Sequence, residues 1–329
     1  MSTTDPRITV GVDGSAGSSA AVAWAARIAS LRHWQLKIVY GRQPTGLYGG
    51  GLSGLAGLVD AIQADGERII AEARSLAASI DKNLVITTEL PNDPPVSMLI
   101  DESRHARMLV VGRSGAGGFT GMLVGGTAAT VASHAHGPVA VIRGRQDTTM
   151  VPDAGPVVVG IDGSPNCEPA IGVAFEEAAV RGVPLVAVHA WNDVTYEDTR
   201  GTARILTQPD TLEEGEQRLL AERLAGWQEK YPDVEIRHLL VRDRPRHALL
   251  EASETAQLVV VGSHGRGGFT GMLLGSTSQA LVQHAGCPVL VVRPERANAP
   301  AGRGAARRAR ESSSFADVTG RRDVSPRVR

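Results

Sequence analysis

Gly262-Ser263-His264-Gly265-Arg266-Gly267-Gly268-Phe269-Thr270-Gly271-Met272-Leu273-Leu274-Gly275-Ser276-Thr277 repeats, almost residue for residue, an earlier passage of the same chain, Gly112-Arg113-Ser114-Gly115-Ala116-Gly117-Gly118-Phe119-Thr120-Gly121-Met122-Leu123-Val124-Gly125-Gly126-Thr127. The offset of 150 residues also sets His134 on His284, Pro138 on Pro288, Asp93 on Asp243 and Arg143 on Arg293. Asp13 falls on Asp162 at an offset of 149. A chain that repeats itself at this period is a tandem duplication, so any role given to one half must be asked of the other. Each passage follows an apolar run, Met108-Leu109-Val110-Val111 or Leu258-Val259-Val260-Val261, and leads into a helical pattern at 126–135 or 276–285. Strand, glycine-rich loop, helix is the unit from which the rest is read.

Working outward, the halves occupy about residues 1–146 and 156–296 of the 329, joined by a polar linker at 147–155 that contains Pro152. Apolar residues at 42% against 21% charged are the balance of globular protein with ample core. Short β-branched runs are expected as strands at 7–12, 36–40, 84–89, 108–112 and 138–142, and again at 156–161, 184–189, 235–241, 258–262 and 288–292. Helices alternate with them. Ser15 sits at the cap of a pattern running to Leu31, and 212–231 carries Leu219, Leu220, Leu224 and Trp227 at helical spacing. Strands apolar at every position need cover on both faces, so each half reads as an α/β domain with a doubly wound, five-stranded parallel sheet. Strands one and four should flank the point where strand order reverses, and ligands in such sheets sit there, beyond the carboxyl ends.

The loops at that point are unusual. Fourteen residues with six glycines, kept in both copies, exceed what a strand-to-helix connection requires. Glycines there let several N–H groups converge on one anion, and the helix N-terminus adds its own unpaired donors and dipole. Phosphate is the natural occupant of Gly112, Arg113, Ser114, Gly115, Gly117, Gly118, Gly125, Gly126 and Thr127, and of Gly262, Ser263, His264, Gly265, Arg266, Gly267, Gly268, Gly275, Ser276 and Thr277. Ser276 and Thr277 could cap the helix or reach a phosphate oxygen, while Arg266 and His264 could neutralise charge. Neither loop contains the lysine of a P-loop, and the loop follows the fourth strand, unlike the dinucleotide fingerprint.

After strand one stand Gly11-Val12-Asp13-Gly14-Ser15 and Gly160-Ile161-Asp162-Gly163-Ser164. Asp13 and Asp162 could take a ribose hydroxyl or a metal held by phosphates; Asp-Gly-Ser is equally good turn and cap chemistry, and both readings stand. Gly41 and Ala190, small and placed after strand two, leave space for a flat base, with Asp193 a further ribose candidate. His134 and His284 belong near helix carboxyl ends, where capping suits a histidine better than catalysis, and His189 reads as a satisfied core or edge residue.

Two cysteines, Cys167 and Cys287, are too few for a disulfide framework and lack metal-ligand spacing. No apolar run approaches a membrane span and no secretory h-region appears, so a cytoplasmic protein is expected. Net charge is −1, which offers nucleic acid no overall attraction. Residues 297–329 hold eight arginines among Ala, Gly and Ser and are expected to be disordered, either as a solvated tail or as a basic arm.

With those residues in place, the sequence resembles the tandem universal stress proteins, whose nucleotide-binding members carry Gly-x-x-Gly, nine residues, then Gly-Ser or Gly-Thr. Gly262, Gly265, Gly275 and Ser276 match throughout; Gly112, Gly115 and Gly125 match, with Gly126 where the hydroxyl belongs and Thr127 next. The resemblance spans about residues 5–294. It implies a flavodoxin-like, Rossmann-like fold with strand order 3-2-1-4-5 in each half and ATP, with or without Mg2+, in each crevice. It also implies pairing of the last strands into an intrachain pseudo-dimer, a homodimer of such chains, a regulatory protein partner, and a stress, hypoxia or dormancy role. It further matches Asp13 and Asp162 to an acidic site residue and Gly41 and Ala190 to the adenine contact. A nucleotide-dependent sensor without catalysis is the leading expectation; a slow ATPase or phosphotransferase and a nucleotide-free scaffold are the alternatives.

Overall fold

The computed structural model of the chain describes residues 5–41, 52–115, 125–144, 150–191, 209–265 and 273–294, with the backbone alone for 52–59 and 209–212. Gly117, Gly118, Asp193, Arg266, Gly267, Gly268 and the arginine-rich tail lie outside the described residues.

The first half runs β1 (Arg7–Gly11), α1 (Ala16–Arg32), β2 (Gln35–Val39), α2 (Leu52–Ile80), β3 (Ile86–Glu89), α3 (Pro95–Glu102), β4 (Met108–Gly112), α4 (Gly126–His134) and β5 (Val139–Ile142). The second repeats it as β6 (Val157–Gly160), α5 (Glu168–Arg181), β7 (Leu185–Trp191), α6 (Pro209–Lys230), β8 (Ile236–Arg242), α7 (Pro245–Ser253), β9 (Leu258–Gly262), α8 (Ser276–His284) and β10 (Val289–Val292). Every expected strand is present. Boundaries move by a residue or two, because the expected runs include flanking residues; β7 reaches Trp191, since its ladder with β8 continues to Trp191 opposite Arg242.

Within each half the strands are parallel and ordered 3-2-1-4-5, and the two sets join into one ten-stranded sheet, β3-β2-β1-β4-β5-β10-β9-β6-β7-β8. The joint is antiparallel, Val139 opposite Val291 and Val141 opposite Val289. Both strands are buried at every position, and two such apolar edges left unpaired would template aggregation; pairing them with each other removes both edges. Because the joint is antiparallel, the carboxyl ends of the two sets point in opposite directions. The two crevices therefore open at opposite ends of the sheet.

Helices cover both faces. Trp24 and Ile28 of α1, Ile69 of α2, Phe175 of α5, and Leu220 and Leu224 of α6 pack on one face with Ile8, Val10, Val157 and Val159. Met98 and Leu99 of α3, Val131 of α4, Leu249 of α7 and Leu281 of α8 pack on the other with Val111, Val139, Val261 and Val289. Caps set the helix ends: Ser15 Oγ accepts the Ser18 N–H at 3.1 Å, and α1 and α5 stop on left-handed His33 and Gly182.

On the α1/α5 side the halves are also joined by charge. Arg32 donates to Glu176 at 2.5 Å and to Glu177 at 2.6 Å, and Arg181 donates to Glu177 at 2.9 Å and to Gln257 at 3.1 Å. Glu177 is fully buried, so its carboxylate is solvated by these two guanidinium groups alone among the described residues. Glu177→Ala would leave buried Arg181 without a carboxylate and buried Arg32 with Glu176 alone. We expect a loss of about 3–5 kcal/mol, seen as a lower urea midpoint, and a midpoint unchanged from wild type would refute the assignment.

Candidate functional site

Chain direction alone opens a crevice in each half. From β1 the chain turns onto the α1 face of the sheet, and from the neighbouring β4 it turns onto the α4 face. β6 and β9 diverge in the same way toward α5 and α8. The loops leaving the two strands therefore part over the strand ends.

Asp13 and Asp162 stand at the mouth, half-buried. Asp13 Oδ1 accepts the Ser15 N–H at 3.0 Å, and Asp162 Oδ1 accepts both the N–H and the hydroxyl of Ser164, at 2.9 and 2.8 Å. The glycine between them takes φ of +79° at Gly14 and +75° at Gly163, which only glycine adopts without strain. The turn chemistry read from Asp-Gly-Ser is thus present in both halves, and it fixes the carboxylates over the crevice.

The glycine loops lie against these carboxylates. A methyl group on Gly115 would come within 2.4 Å of Asp13 Oδ2, and one on Gly265 within 2.8 Å of Asp162 Oδ2. Gly125 N–H donates to the Arg113 carbonyl at 2.8 Å, and Gly275 N–H to that of Ser263 at 2.7 Å, so each loop is closed at its base. The helical ladders begin with Ala129 N–H to Gly125 and Gln279 N–H to Gly275, leaving the three preceding amides of each first turn outside it. Among the described residues no side chain caps α4 or α8. Ser276 and Thr277, expected as possible caps, instead occupy the first two helical positions, because Gly275 is the cap residue. A helix start of this kind leaves backbone N–H groups and the positive end of the helix dipole at the mouth of the crevice, chemistry that suits an anion.

Some of the expected residues serve packing. A Cβ on Gly11 would strike Leu99 at 2.9 Å and one on Gly160 would strike Leu249 at 2.9 Å, so both strand ends are small for the helix above them. On the side of Gly41 where a Cβ would stand, the backbone of Pro95 and Asp93 lies at 2.6 and 3.2 Å, so that side is closed to a base. A methyl at Gly126 would meet nothing within 4 Å, so the missing hydroxyl there is not forced by crowding. His134 Nδ1 contacts its own helix at Thr130 O, 2.8 Å away, as capping requires.

Three residues escaped the sequence reading: Ser278, Arg223 and Glu216. Ser278, buried, donates to the Gly262 carbonyl at 2.6 Å and ties α8 to the end of β9, where the first half has Ala128. Arg223 reaches from α6 to the Gly163 carbonyl at 2.9 Å. His189 is the satisfied core residue expected, and it joins Ile161 O, at 2.7 Å, to buried Glu216, at 2.8 Å. The duplicated positions hold different residues, so the repeat itself gave no signal. Among the described residues no group of three or more His, Cys, Asp or Glu could hold a metal, so a cation here would need ligands from a bound phosphate as well as Asp13 or Asp162. Nor, among the described residues, is any helix long and apolar enough to cross a membrane.

The universal stress protein family model matches residues 6–143 and again 154–293. This chain belongs to that family. A universal stress protein of Mycolicibacterium smegmatis is 43% identical over 305 residues, covering 89% of this chain and 99% of its own. The universal stress protein Rv2005c of Mycobacterium tuberculosis is 42% identical over 308 residues, covering 87% of this chain and 96% of its own. Among solved structures, a universal stress protein from Archaeoglobus fulgidus superposes with a TM-score of 0.66 at 19% identity, across 87% of this chain and 98% of that one. The tandem arrangement of family domains is thus shared along nearly the full length of these relatives.

Cys167 lies under the Asp162 turn with its thiol 3.0 Å from the Ser164 carbonyl. Burial, reinforced by the Asp162 charge, pushes the thiol up from 9.0 to about 11. Two units leave roughly a hundredth of the thiolate at neutral pH. Iodoacetamide should therefore label Cys167 about a hundredfold more slowly in the native protein than in urea, read by mass spectrometry. Because the unfolded thiol ionises first, its effect on stability is absent at neutral pH and unfavourable once pH passes the ordinary thiol value. Equal labelling rates would contradict this placement.

Proposed function

We propose that each half binds a nucleoside polyphosphate, ATP being the expected ligand, and that occupancy is read by a partner without chemical turnover. The observation that carries the reading is the apposition of Gly115 and Gly265 to the carboxylates of Asp13 and Asp162, beside an uncapped helix start. Main-chain amides there supply the phosphate contacts, as at other helix N-termini. One carboxylate per site suits either a ribose hydroxyl or a phosphate-bound Mg2+. Membership of the universal stress protein family supports the reading and extends it to a role in stress or dormancy, in the cytoplasm, with chains associating as dimers.

The same carboxylate geometry supplies the test. A methyl at position 115 or 265 displaces the flexible end of an aspartate and does not press on backbone, so the fold should survive while the site is disturbed. Gly265→Ala and Gly115→Ala should each weaken Mg·ATP binding in their own half by tenfold or more, about 1.4 kcal/mol, measured by calorimetry on the full chain. The double variant should bind almost none. Nucleotide released on denaturing the natively purified protein should be ATP, and remain ATP over hours of incubation with magnesium. Rapid conversion to ADP would make the protein an ATPase, and absence of any saturable uptake would leave it a scaffold.

A further inference from the structure

Beneath the second crevice lies a buried pair that the first crevice lacks. His189, on β7 immediately before Ala190, is 1% exposed, and Glu216 on α6 is 3% exposed. The Ile161 carbonyl can only accept a hydrogen bond, so His189 Nδ1 must carry the proton that joins them at 2.7 Å. That leaves Nε2 facing a carboxylate oxygen at 2.8 Å. The two groups need a second proton between them. Without it, an acceptor faces an acceptor in a dry interior.

The ladder ends on the peptide just before Asp162. Arg223, seven residues beyond Glu216 and hence on the same face of α6, holds the Gly163 carbonyl just after Asp162. One helix thus grips the main chain on both sides of the site carboxylate. In the first half the Val12 N–H to Val39 O bond corresponds to Ile161 N–H to Val188 O, which sets Tyr40 in the place of His189. Gly66, the counterpart of Glu216, makes room for that ring: a Cβ there would stand 3.0 Å from Tyr40. Ala73 takes the place of Arg223.

We propose that His189 and Glu216 are a positioning pair whose bonds, from the Ile161 carbonyl through the ring to the Glu216 carboxyl group, hold the Asp162 turn, so that nucleotide retention in the carboxyl-terminal crevice depends on this pair while the amino-terminal crevice does not. The inference rests on the nucleotide-binding reading above. The other charged groups on the elements packed around the ring are Asp162 at the end of β6, Arg223 on α6, Glu168 on α5, engaged by Trp227, and, on the same face of β8, His238 and Arg242. All of them are unchanged in the variants below, so a difference in affinity reports the pair.

Glu216→Gln is the conservative substitution, because its amide can donate to Nε2 and keep both bonds. Calorimetry of Mg·ATP with the full chain should show the carboxyl-terminal site of Glu216→Gln binding as wild type does, and that of Glu216→Leu, which removes the partner of the ring, binding about tenfold more weakly. His189→Tyr alone should bind weakly, since it breaks the link between Ile161 and Glu216, and adding Glu216→Gly, which installs the first half's own pair, should restore binding. Wild-type affinity in Glu216→Leu would overturn this inference alone. No binding by the wild-type protein would overturn it together with the reading beneath it.

Discussion

A parallel sheet whose strand order reverses must part its connections at the reversal, and everything functional here depends on that parting. From β1 the chain goes to one face and from β4 to the other, so no segment of the core can fill the ground between them. What fills it is main chain at unusually close range. Gly112 lies so near the first turn of α1 that a Cβ would sit 2.6 Å from the Gly17 carbonyl carbon. Such contacts are open only to glycine, and they bring the start of α1, the Asp13 turn and the base of the loop to one place. The glycines are required by assembly as much as by any ligand.

The antiparallel joint between β5 and β10 then determines how two such crevices relate. It reverses one half against the other and sends the openings to opposite ends of a continuous sheet. Groups held in the two crevices would share no contacts, so any communication between them would pass through the joint. The joint is built to be stiff. On one face Glu177 is held between Arg32 and Arg181, and on the other Arg293 donates to Ala132 and Leu273 at 3.2 and 2.9 Å. Buried ion pairs add little net stability to a domain, and their better-attested use is to fix one arrangement against alternatives. Two apolar edges could pair in several registers; Arg32 and Glu177 meet in this one.

Much of this was legible in the chain because duplication and periodicity are strong signals. Runs such as Leu258–Val261 allow little but a covered central strand, and the reversal between β1 and β4 follows from handedness rules once the strands are counted. The site was legible in outline for the same reason: Asp-Gly-Ser and the glycine loops occur twice. What stayed hidden was what requires distance. Nothing in the chain shows that Pro95 packs against Gly41 or that Leu99 packs against Gly11. Ser278, Arg223 and Glu216 are ordinary helical residues in sequence. Their meaning comes from a carbonyl or a ring supplied by another strand, and each lacks a counterpart in the other half, so comparing the copies pointed away from them.

That last point bears on how the two halves differ. Around the first Asp turn apolar packing is prominent, with Ile69 on Gly14, Ala73 buried and Gly66 yielding to Tyr40, beside the Ser15 hydroxyl, which donates to the Ser114 carbonyl at 3.3 Å. Around the second, directed polar bonds are added from Arg223, from the His189 and Glu216 pair, and, at the opposite strand, from Ser278. Apolar packing is non-directional and tolerates small displacements, whereas a polar bond in a dry interior fixes one geometry and leaves a costly unpaired group when its partner is removed. Two crevices built on one backbone are therefore held in place by different interactions. Duplication alone would give two identical supports; the divergence beneath the loops gives the second Asp turn a set of its own.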